Sequence, residues 1–378
     1  MLAHHFVKWC ETANTVERCA GVAMLAEAVI HRKFLPKETR EAEAALLYAL
    51  EDVSPLVRRT IANLVASSDR VSRQLVLGLA RDVNEIALLV VSRSPLLTGS
   101  DLTELAMDAS GPVRAAIARR PHLPSDACHA IAALEDPDAA LALAGNRHAE
   151  MTVETLRQLA TTFGGDGRVR GALLERDDLP SDMRHRLVHA VAEQLGRSPF
   201  LAAVLGETRS ERLREELQER ALTAIVDKVS AEGLEAFVEH LRSDGALNTA
   251  LLLKAVCAGR IDLFSAALAR LTGYPEPRVR AIIAEARQPS FAALAAKAGL
   301  PPVVVPLLLA ATRVWKDASM IDDLDSADVT ASVMQRLLGH QRREATADQK
   351  DLTELLERLS KDAQRTTARQ RMQRYLAA

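Results

Sequence analysis

The segment 108–126, DASGPVRAAIARRPHLPSD, decides the fold because its parts recur at a fixed distance along the chain. Sliding the sequence by 56 residues brings Leu123-Pro-Ser-Asp onto Leu179-Pro-Ser-Asp. The same shift relates three Val-Arg pairs, which are Val57-Arg58, Val113-Arg114 and Val169-Arg170. Self-similarity at one offset predicts a repeat architecture.

Apolar residues inside these copies follow the spacing i, i+3, i+4, i+7, which places them on one face of a helix. Three such faces are Leu102/Leu105/Ala106/Ala109, Ala127/Ala130/Ile131/Leu134 and Leu156/Leu159/Ala160/Phe163. The Val-Arg element predicts a second, shorter helix with Val113, Ala116 and Ile117 facing inward. Leu-Ala or Ile-Ala pairs at 79, 105, 131 and 159 give repeats of about 28 residues, each a pair of helices.

A pair of short helices cannot bury both of its faces alone, so neighbouring pairs must stack. The sequence therefore predicts an all-α protein that begins with an α-solenoid over residues 1–195. Helix boundaries follow from local signals: Pro112 suits a first turn, Pro121 stops that helix, and Ser125 and Ser181 are expected N-caps.

The Val-Arg elements carry a resemblance to known repeats. Asp52-x5-Arg58 and Asp108-x5-Arg114 resemble the Asp-x5-Arg signature of HEAT-type repeats and of related leucine-rich-variant repeats. The resemblance implies that Asp and Arg link successive repeats by hydrogen bonds. The third copy departs from the signature because Gly164 stands six residues before Arg170.

The marks of the repeats vanish from about residue 200, although helical periodicity continues and predicts a second helical domain over 196–318. A capping box is expected at Thr208 and Glu211. The stretches 250–273 and 289–311, together with the repeats, resemble a bacterial family of uncharacterised proteins, domain of unknown function 2336, over roughly residues 30–315. This resemblance implies a helical cytoplasmic protein and transfers no catalytic residue.

Residues 319–378 are expected to form a polar linker and amphipathic terminal helices. An apolar stripe at Leu352, Leu355, Leu356 and Leu359 follows a capping box at Thr346 and Gln349. The basic continuation, a candidate binding helix, contains Arg365, Arg369, Arg371 and Arg374. It has three interpretations: a solvated cationic helix end, a helix that docks in a partner groove, or a helix on anionic lipid. A homodimer through these helices is a further expectation.

Composition limits the possible functions. Lys+Arg at 48 nearly balances Asp+Glu at 50, so the net charge of -2 disfavours nucleic-acid binding by the chain as a whole. Four scattered cysteines and no apolar secretory segment favour a reducing cytoplasm. The longest apolar run, 302–312, is about half of the roughly 20 residues that a membrane span needs, and predicts a buried helix. No metal and no cofactor are expected.

Arg58, Arg114 and Arg170 are the candidate binding residues of the repeats, because equal spacing in a solenoid would place them in a row that could hold phosphates or an acidic partner. A structural role as links between repeats is favoured, since two of the three follow an Asp by six residues. The glycine-rich segment 164–167 could cradle an anion, but a turn between helices is the favoured interpretation.

We found no local signature of an acid–base, nucleophilic or zinc-dependent enzyme. The favoured hypothesis is a non-enzymatic cytoplasmic scaffold or regulatory adaptor that binds a protein partner through the solenoid surface. One alternative is a HEAT-like nucleic-acid-binding protein, which requires a basic concave face formed by Arg58, Arg114, Arg119, Arg120, Arg168 and Arg170. Another alternative is a sensor of a small ligand such as a nucleotide messenger.

Overall fold

The computed structural model describes residues 2–318, 326–344, 353–361, 364–365, 368 and 372. Every regular element within those ranges is a helix, which confirms the predicted all-α class. The chain divides into two compact units, residues 1–190 and 191–378.

Unit 1 consists of short helices joined by tight turns. Its helices are α1 (Leu2–Cys10), α2 (Thr15–Ile30), α3 (Pro36–Tyr48), α4 (Pro55–Val65), α5 (Arg73–Ala80), α6 (Asn84–Val91), α7 (Gly99–Asp108), α8 (Gly111–Ala118), α9 (Ser125–Ala133), α10 (Pro137–Gly145), α11 (Val153–Phe163) and α12 (Gly167–Leu174), followed by α13 (Ser181–Gly196), which ends in unit 2. A single 3-10 turn, Ala49–Glu51, separates α3 from α4.

The helices of unit 1 alternate between two rows. We call the even-numbered helices from α2 to α12 the second helices, because each is the second helix of a pair. Each second helix contacts the next one along the chain. In the other row, α1 contacts α3, α3 contacts α5, α7 contacts α9 and α9 contacts α11. Each helix pair therefore packs on its neighbours, so that apolar faces too small to be shielded within one pair are covered by the next.

Most residues of the predicted helix faces lie in the core of unit 1, whereas Ala109, Ala130 and Leu134 are half-buried. Leu156, Leu159, Ala160 and Phe163 are all buried, and they belong to a continuous apolar cluster that extends from Phe6 to Leu187. The short α8 buries Val113 and Ile117 as expected, whereas Ala116 is only half-buried.

Helix starts agree less well with the predictions. Pro112 lies in the first turn of α8, and α8 ends before Pro121, as expected. Ser125 is not an N-cap but the first residue of α9, because the chain already turns into the helix at Pro124, whose side chain has no oxygen to cap it. The expected capping box at Thr208 is wrong: the N-cap is Gly206, two residues earlier, which adopts a φ of 79°.

Unit 2 continues with longer helices around its own core. They are α14 (Pro199–Leu205), α15 (Glu207–Lys228), α16 (Leu234–Ser243), α17 (Thr249–Cys257), α18 (Ile261–Thr272), α19 (Glu276–Glu285), α20 (Gln288–Lys297), α21 (Val305–Ala318) and α22 (Ser326–Glu344). Three phenylalanines, Phe237, Phe264 and Phe291, are fully buried at the centre.

The last part of the chain completes the core of unit 2. Helix α22 contacts α21 and buries Val333 and Leu337, and the helical segment 353–361 buries Leu356 in the same cluster. Residues 305–312 of the apolar run are confirmed as part of a helix with a buried face, α21, whereas 302–304 form the turn before it. Within the part of the chain that the structure describes, no helix combines the length and apolarity needed to cross a membrane.

Candidate binding surface

Ion pairs link the starts of successive second helices, a region that we call the N-terminal edge of unit 1. Arg58 of α4 donates two hydrogen bonds to Asp82, which precedes α6, at 2.6 and 2.9 Å. Its third nitrogen, Nη1, donates to the carbonyl of Asp52 at 2.5 Å. Arg18 of α2 pairs with Asp52 in the same way, at 2.7 and 3.1 Å. Each arginine thus joins its own helix to the turn before the next one.

A third pair extends this series further along unit 1. Arg114 of α8 donates from Nη1 to Asp136, the N-cap of α10, at 2.8 Å, and its other nitrogens donate to the carbonyls of Ala106 and Ala109. The six side chains of the three pairs are at most 16% exposed. Such partly buried pairs resist screening by salt better than exposed ones do.

Hydrogen bonding outweighs burial in setting the charge state of these aspartates. Burial alone would raise the pKa of Asp52, but the hydrogen bonds from the Arg18 guanidinium and the Ser54 amide lower the pKa below its ordinary value of 3.8. Burial also opposes the shift at Asp136, where the amide of Ala139 and the Arg114 guanidinium bring the net pKa down. Both carboxylates therefore remain ionised and paired at neutral pH.

The candidate arginines of the repeats are placed differently from one another. Arg58 and Arg114 join neighbouring helix pairs, whereas Arg170 donates from Nη1 to the carbonyl of Gly164 at 2.9 Å, inside the turn between α11 and α12. The interpretation of 164–167 as a turn is confirmed, because α11 ends at Phe163 and α12 begins at Gly167. The structure does not bring these three arginines together around one open site.

Of the four arginines in the basic terminal segment, only Arg365 is among the described residues, and it is exposed and helical. Arg369, Arg371 and Arg374 lie outside the described residues, as do Leu352 and the expected capping residues Thr346 and Gln349. Leu355, Leu356 and Leu359 of the predicted apolar stripe pack on the core of unit 2.

A second series of hydrogen bonds joins the other ends of the second helices, which we call the C-terminal edge of unit 1. Arg120 donates to the carbonyls of Val91, the last residue of α6, and Ser94, at 2.5 and 2.8 Å. Asn146 donates to the carbonyls of Ala118 and Arg120, at 2.8 and 2.7 Å. Carbonyls that a helix end leaves without intrahelical partners are thereby satisfied by the following repeat.

The series continues through two more arginines. Arg176, which is 5% exposed, donates to the carbonyls of Ala144 and Asn146, at 3.2 and 2.7 Å. Arg184 then donates to the carbonyls of Leu174 and Arg176. From Arg120 onward, each donor residue offers its own carbonyl to the next, so four side chains form one continuous chain of hydrogen bonds.

Asp52 was singled out from the sequence, whereas Asp82, Asp136 and the C-terminal edge were not predicted. Arg120 and Arg176 are themselves related by the 56-residue shift and each stands three residues before a Leu-Pro mark, so the repeat alignment contained this signal. The partners of Arg58 and Arg114 are harder to find, because Asp82 and Asp136 are 24 and 22 residues away and lie outside the Asp-x5-Arg motifs.

Exposed apolar side chains line the N-terminal edge. Val16, Val53, Leu56 and Val83 stand at the starts of α2, α4 and α6, and each is more than half exposed. Val53 and Val83 directly follow the paired aspartates, so the ion pairs fix the turns that present them. Pro112 and Pro137, also exposed, extend this row to α8 and α10.

A cavity of about 300 Å³ opens on the same edge, between α1, α2 and the turn before α4. Its lining combines apolar and polar groups, among them Phe6, Arg18, Tyr48, Asp52 and Val53. The N-terminal edge therefore offers a recess beside the most exposed apolar side chain of unit 1, Val53, at 90%.

Comparisons with known proteins identify the family. Neither the curated proteins nor the solved structures contain a match to this chain. The model of one protein family, described as uncharacterised protein conserved in bacteria (DUF2336), matches residues 86–347, which is more than half of the 378 residues. The match begins later and ends later than the range of about 30–315 inferred from the sequence. The chain therefore belongs to the DUF2336 family.

Proposed function

We propose that this protein is a non-enzymatic cytoplasmic adaptor that binds a protein partner through the N-terminal edge of unit 1. The observation that carries the proposal is the row of exposed apolar side chains formed by Val16, Val53, Leu56 and Val83. Apolar residues scattered singly on a surface need no explanation, but a row held on adjacent helices of one stack is typical of an interaction site.

The surroundings of the row support this proposal. The cavity beside Val53 has room for an aromatic or aliphatic anchor of a partner, and such buried anchors contribute most of the binding energy in protein interfaces. The ion pairs beneath the row hold the turns in place, so little conformational entropy is lost when a partner binds. In this proposal the repeated helix pairs form a solenoid whose edge is the binding surface.

The arginines on which the nucleic-acid alternative depends do not support it. It needs several arginines free to contact phosphates, whereas Arg58 and Arg114 are paired with aspartates and Arg168 is paired with Asp138 and Asp166. We therefore do not propose nucleic-acid binding.

Site-specific photo-crosslinking in cells tests the proposal. A photoreactive amino acid at position 56 is expected to give a discrete crosslinked protein, and Val53→Asp or Val83→Asp in the same chain should abolish that product. Val153 is the matched control, because it lies in the same unit and, like Leu56, is 53% exposed. Crosslinks of equal yield from both positions, or none from position 56, would contradict the proposal.

A further inference from the structure

A groove in unit 2 lies between α20 and α21, and most of the residues that line it are apolar. Ala292 and Ala296 line it from α20, and Val305 and Leu309 line it from α21. The groove has a volume of about 680 Å³, within the range of roughly 300–1,000 Å³ that is typical of small-molecule sites. Alanines at the wall leave a hollow that larger apolar side chains would fill, although protein interiors are otherwise closely packed.

The polar groups of the groove are gathered at one end. Gln288 is the first residue of α20, and Arg313 follows Leu309 by one turn of α21. Arg313 lies beside the start of α20, because its Nε and Nη2 donate to the carbonyl of Ala286 at 3.2 and 3.1 Å. The groove therefore has a cationic end and an apolar remainder.

The guanidinium of Arg313 is held in position but has no acidic partner within 4.0 Å among the described residues. Its carbonyl acceptor belongs to Ala286, a non-glycine residue at a φ of 51°, in the left-handed region. Residues in that region persist only where the surrounding structure enforces them. The Ala286 carbonyl thus fixes Nε and Nη2 of Arg313, and the positive charge of the guanidinium is available to pair with an anion at this end of the groove.

The dimensions favour an extended chain over a helix as the occupant. The stretch from Gln288 to Ala296 contains nine residues of α20, and the eight steps between them give a length of ~12 Å at 1.5 Å per residue. Because α20 and α21 contact each other, their axes are about 8–10 Å apart, and a helix of ~10–12 Å diameter would rest above the hollow without filling it. A single alkyl chain is narrow enough to lie between the alanines of α20 and the apolar side chains of α21.

We propose that this groove binds a free acyl carboxylate: the alkyl chain lies along Ala292, Ala296, Val305 and Leu309, and the carboxylate pairs with Arg313 and accepts a hydrogen bond from the Gln288 amide. Arginine suits this role because its planar guanidinium can donate two parallel hydrogen bonds to a carboxylate. The site is independent of the N-terminal edge of unit 1 and extends the function beyond protein binding.

Calorimetry and methyl NMR of the full chain test this assignment, with sodium dodecanoate as the probe, below its micelle concentration. Dodecanoate is expected to shift the methyl signals of Ala292, Ala296, Val305 and Leu309 in a saturable way. Dodecanol has the same chain without the charge, and we expect it to bind at least tenfold more weakly, since it cannot form the charge-assisted hydrogen bonds that a carboxylate forms with a guanidinium.

Two variants separate the headgroup from the chain. Arg313→Gln should weaken dodecanoate about tenfold and leave the affinity for dodecanol unchanged. Ala296→Trp should abolish binding of both, because the indole fills the hollow from an exposed position that does not disturb the core. Thermal melting of each variant verifies that it is folded.

Several results would overturn the assignment. These are an absence of shifts at the four methyl-bearing residues, equal affinity for dodecanoate and dodecanol, and unaltered dodecanoate binding by folded Ala296→Trp. If an amphipathic helical peptide shifts these methyl signals and dodecanoate does not, the groove is a protein-docking site and the assignment is likewise wrong.

Discussion

Asn146 provides a sharp test of the C-terminal edge, because one small side chain satisfies three backbone groups there. Its amide nitrogen donates to the carbonyls of Ala118 and Arg120, and its oxygen accepts from the amide of His148 at 3.1 Å. The residue is only 9% exposed. Water therefore cannot easily replace the lost partners if the side chain is removed.

Replacement of Asn146 by Ala should destabilise unit 1 by ~2–3 kcal/mol, since each buried polar group without a partner costs about 1–3 kcal/mol and the three groups are not all fully buried. Replacement by Asp preserves the shape and the acceptor for His148 but turns the donor into an oxygen that faces two carbonyl oxygens. We expect Asn146→Asp to cost ~3–5 kcal/mol at pH 7, as an unpaired charge in a largely buried site does.

The two variants should also differ in their dependence on pH. The pKa of an Asp at position 146 is expected to be raised in the folded state above about 3.9, the value in unfolded chains, because burial and two carbonyls disfavour the charged form. A raised folded-state pKa means that the destabilisation is smallest at acidic pH, where the protonated carboxyl can donate one hydrogen bond, and grows as the pH rises. Asn146→Ala should show no such dependence relative to wild type.

The two tryptophans allow unit 1 to be monitored alone. Trp9 lies in unit 1 and Trp315 in unit 2, so a Trp315→Phe background leaves the fluorescence of Trp9 as the signal in a urea titration. Asn248→Ala is the matched control, because it removes an N-cap of α17 in unit 2 and should leave the Trp9 transition unchanged. An Asn146→Asp variant that unfolds at the wild-type urea concentration, or whose deficit is the same at pH 4 and pH 7, would refute the assigned hydrogen bonds.

Three further predictions concern other contacts. Arg58→Met should destabilise unit 1 by about 2–4 kcal/mol, and Arg58→Lys by less, because lysine keeps the charge but not the bidentate contact with Asp82. Urea titrations of both variants measure this order, and equal losses of stability would contradict it. The pKa of Asp52 is lowered, so its contribution to stability is present above pH 3.8 and is lost below it. The stability that Asp52→Asn loses relative to wild type should therefore vanish on acidification. A loss of stability that stays constant with pH would argue against the pairing. Gly259→Ala should lower the melting temperature of unit 2 but not of unit 1. Gly259 has a φ of 77°, and a Cβ there would stand 2.7 Å from the Trp315 ring. An unchanged melting temperature of unit 2 would exclude this contact.

The helix pairs could be predicted from local sequence, because the spacing of apolar residues and the placement of prolines act over a few residues. The faces of α7, α9 and α11 could be predicted for that reason. Hydrogen bonds between repeats could be predicted only where both partners recur at the repeat offset. Asp82 and Asp136 hold the same role without a shared motif, and Asn146 replaces an arginine, so only the positions of the backbones show their equivalence.

The groove of unit 2 was not predictable for a different reason. Alanine at positions 292 and 296 is equally typical of close helix packing and of a hollow, and only the distance between α20 and α21 distinguishes the two. The position of Arg313 beside Ala286 depends on the turn between α19 and α20, which the repeat pattern does not reach.

Helices α8 and α10 of unit 1 are joined at both ends, by the Arg114–Asp136 pair where they begin and by the contacts of Asn146 with the carbonyls of Ala118 and Arg120 where they end. Sliding one helix past its neighbour by a single turn, ~5.4 Å, would break both sets of contacts at once. Shear between α8 and α10 is therefore far costlier than detachment of a terminal helix pair. Under mechanical load, unit 1 should peel from its ends, and the spacing of the side chains displayed on its rim should stay constant until it does.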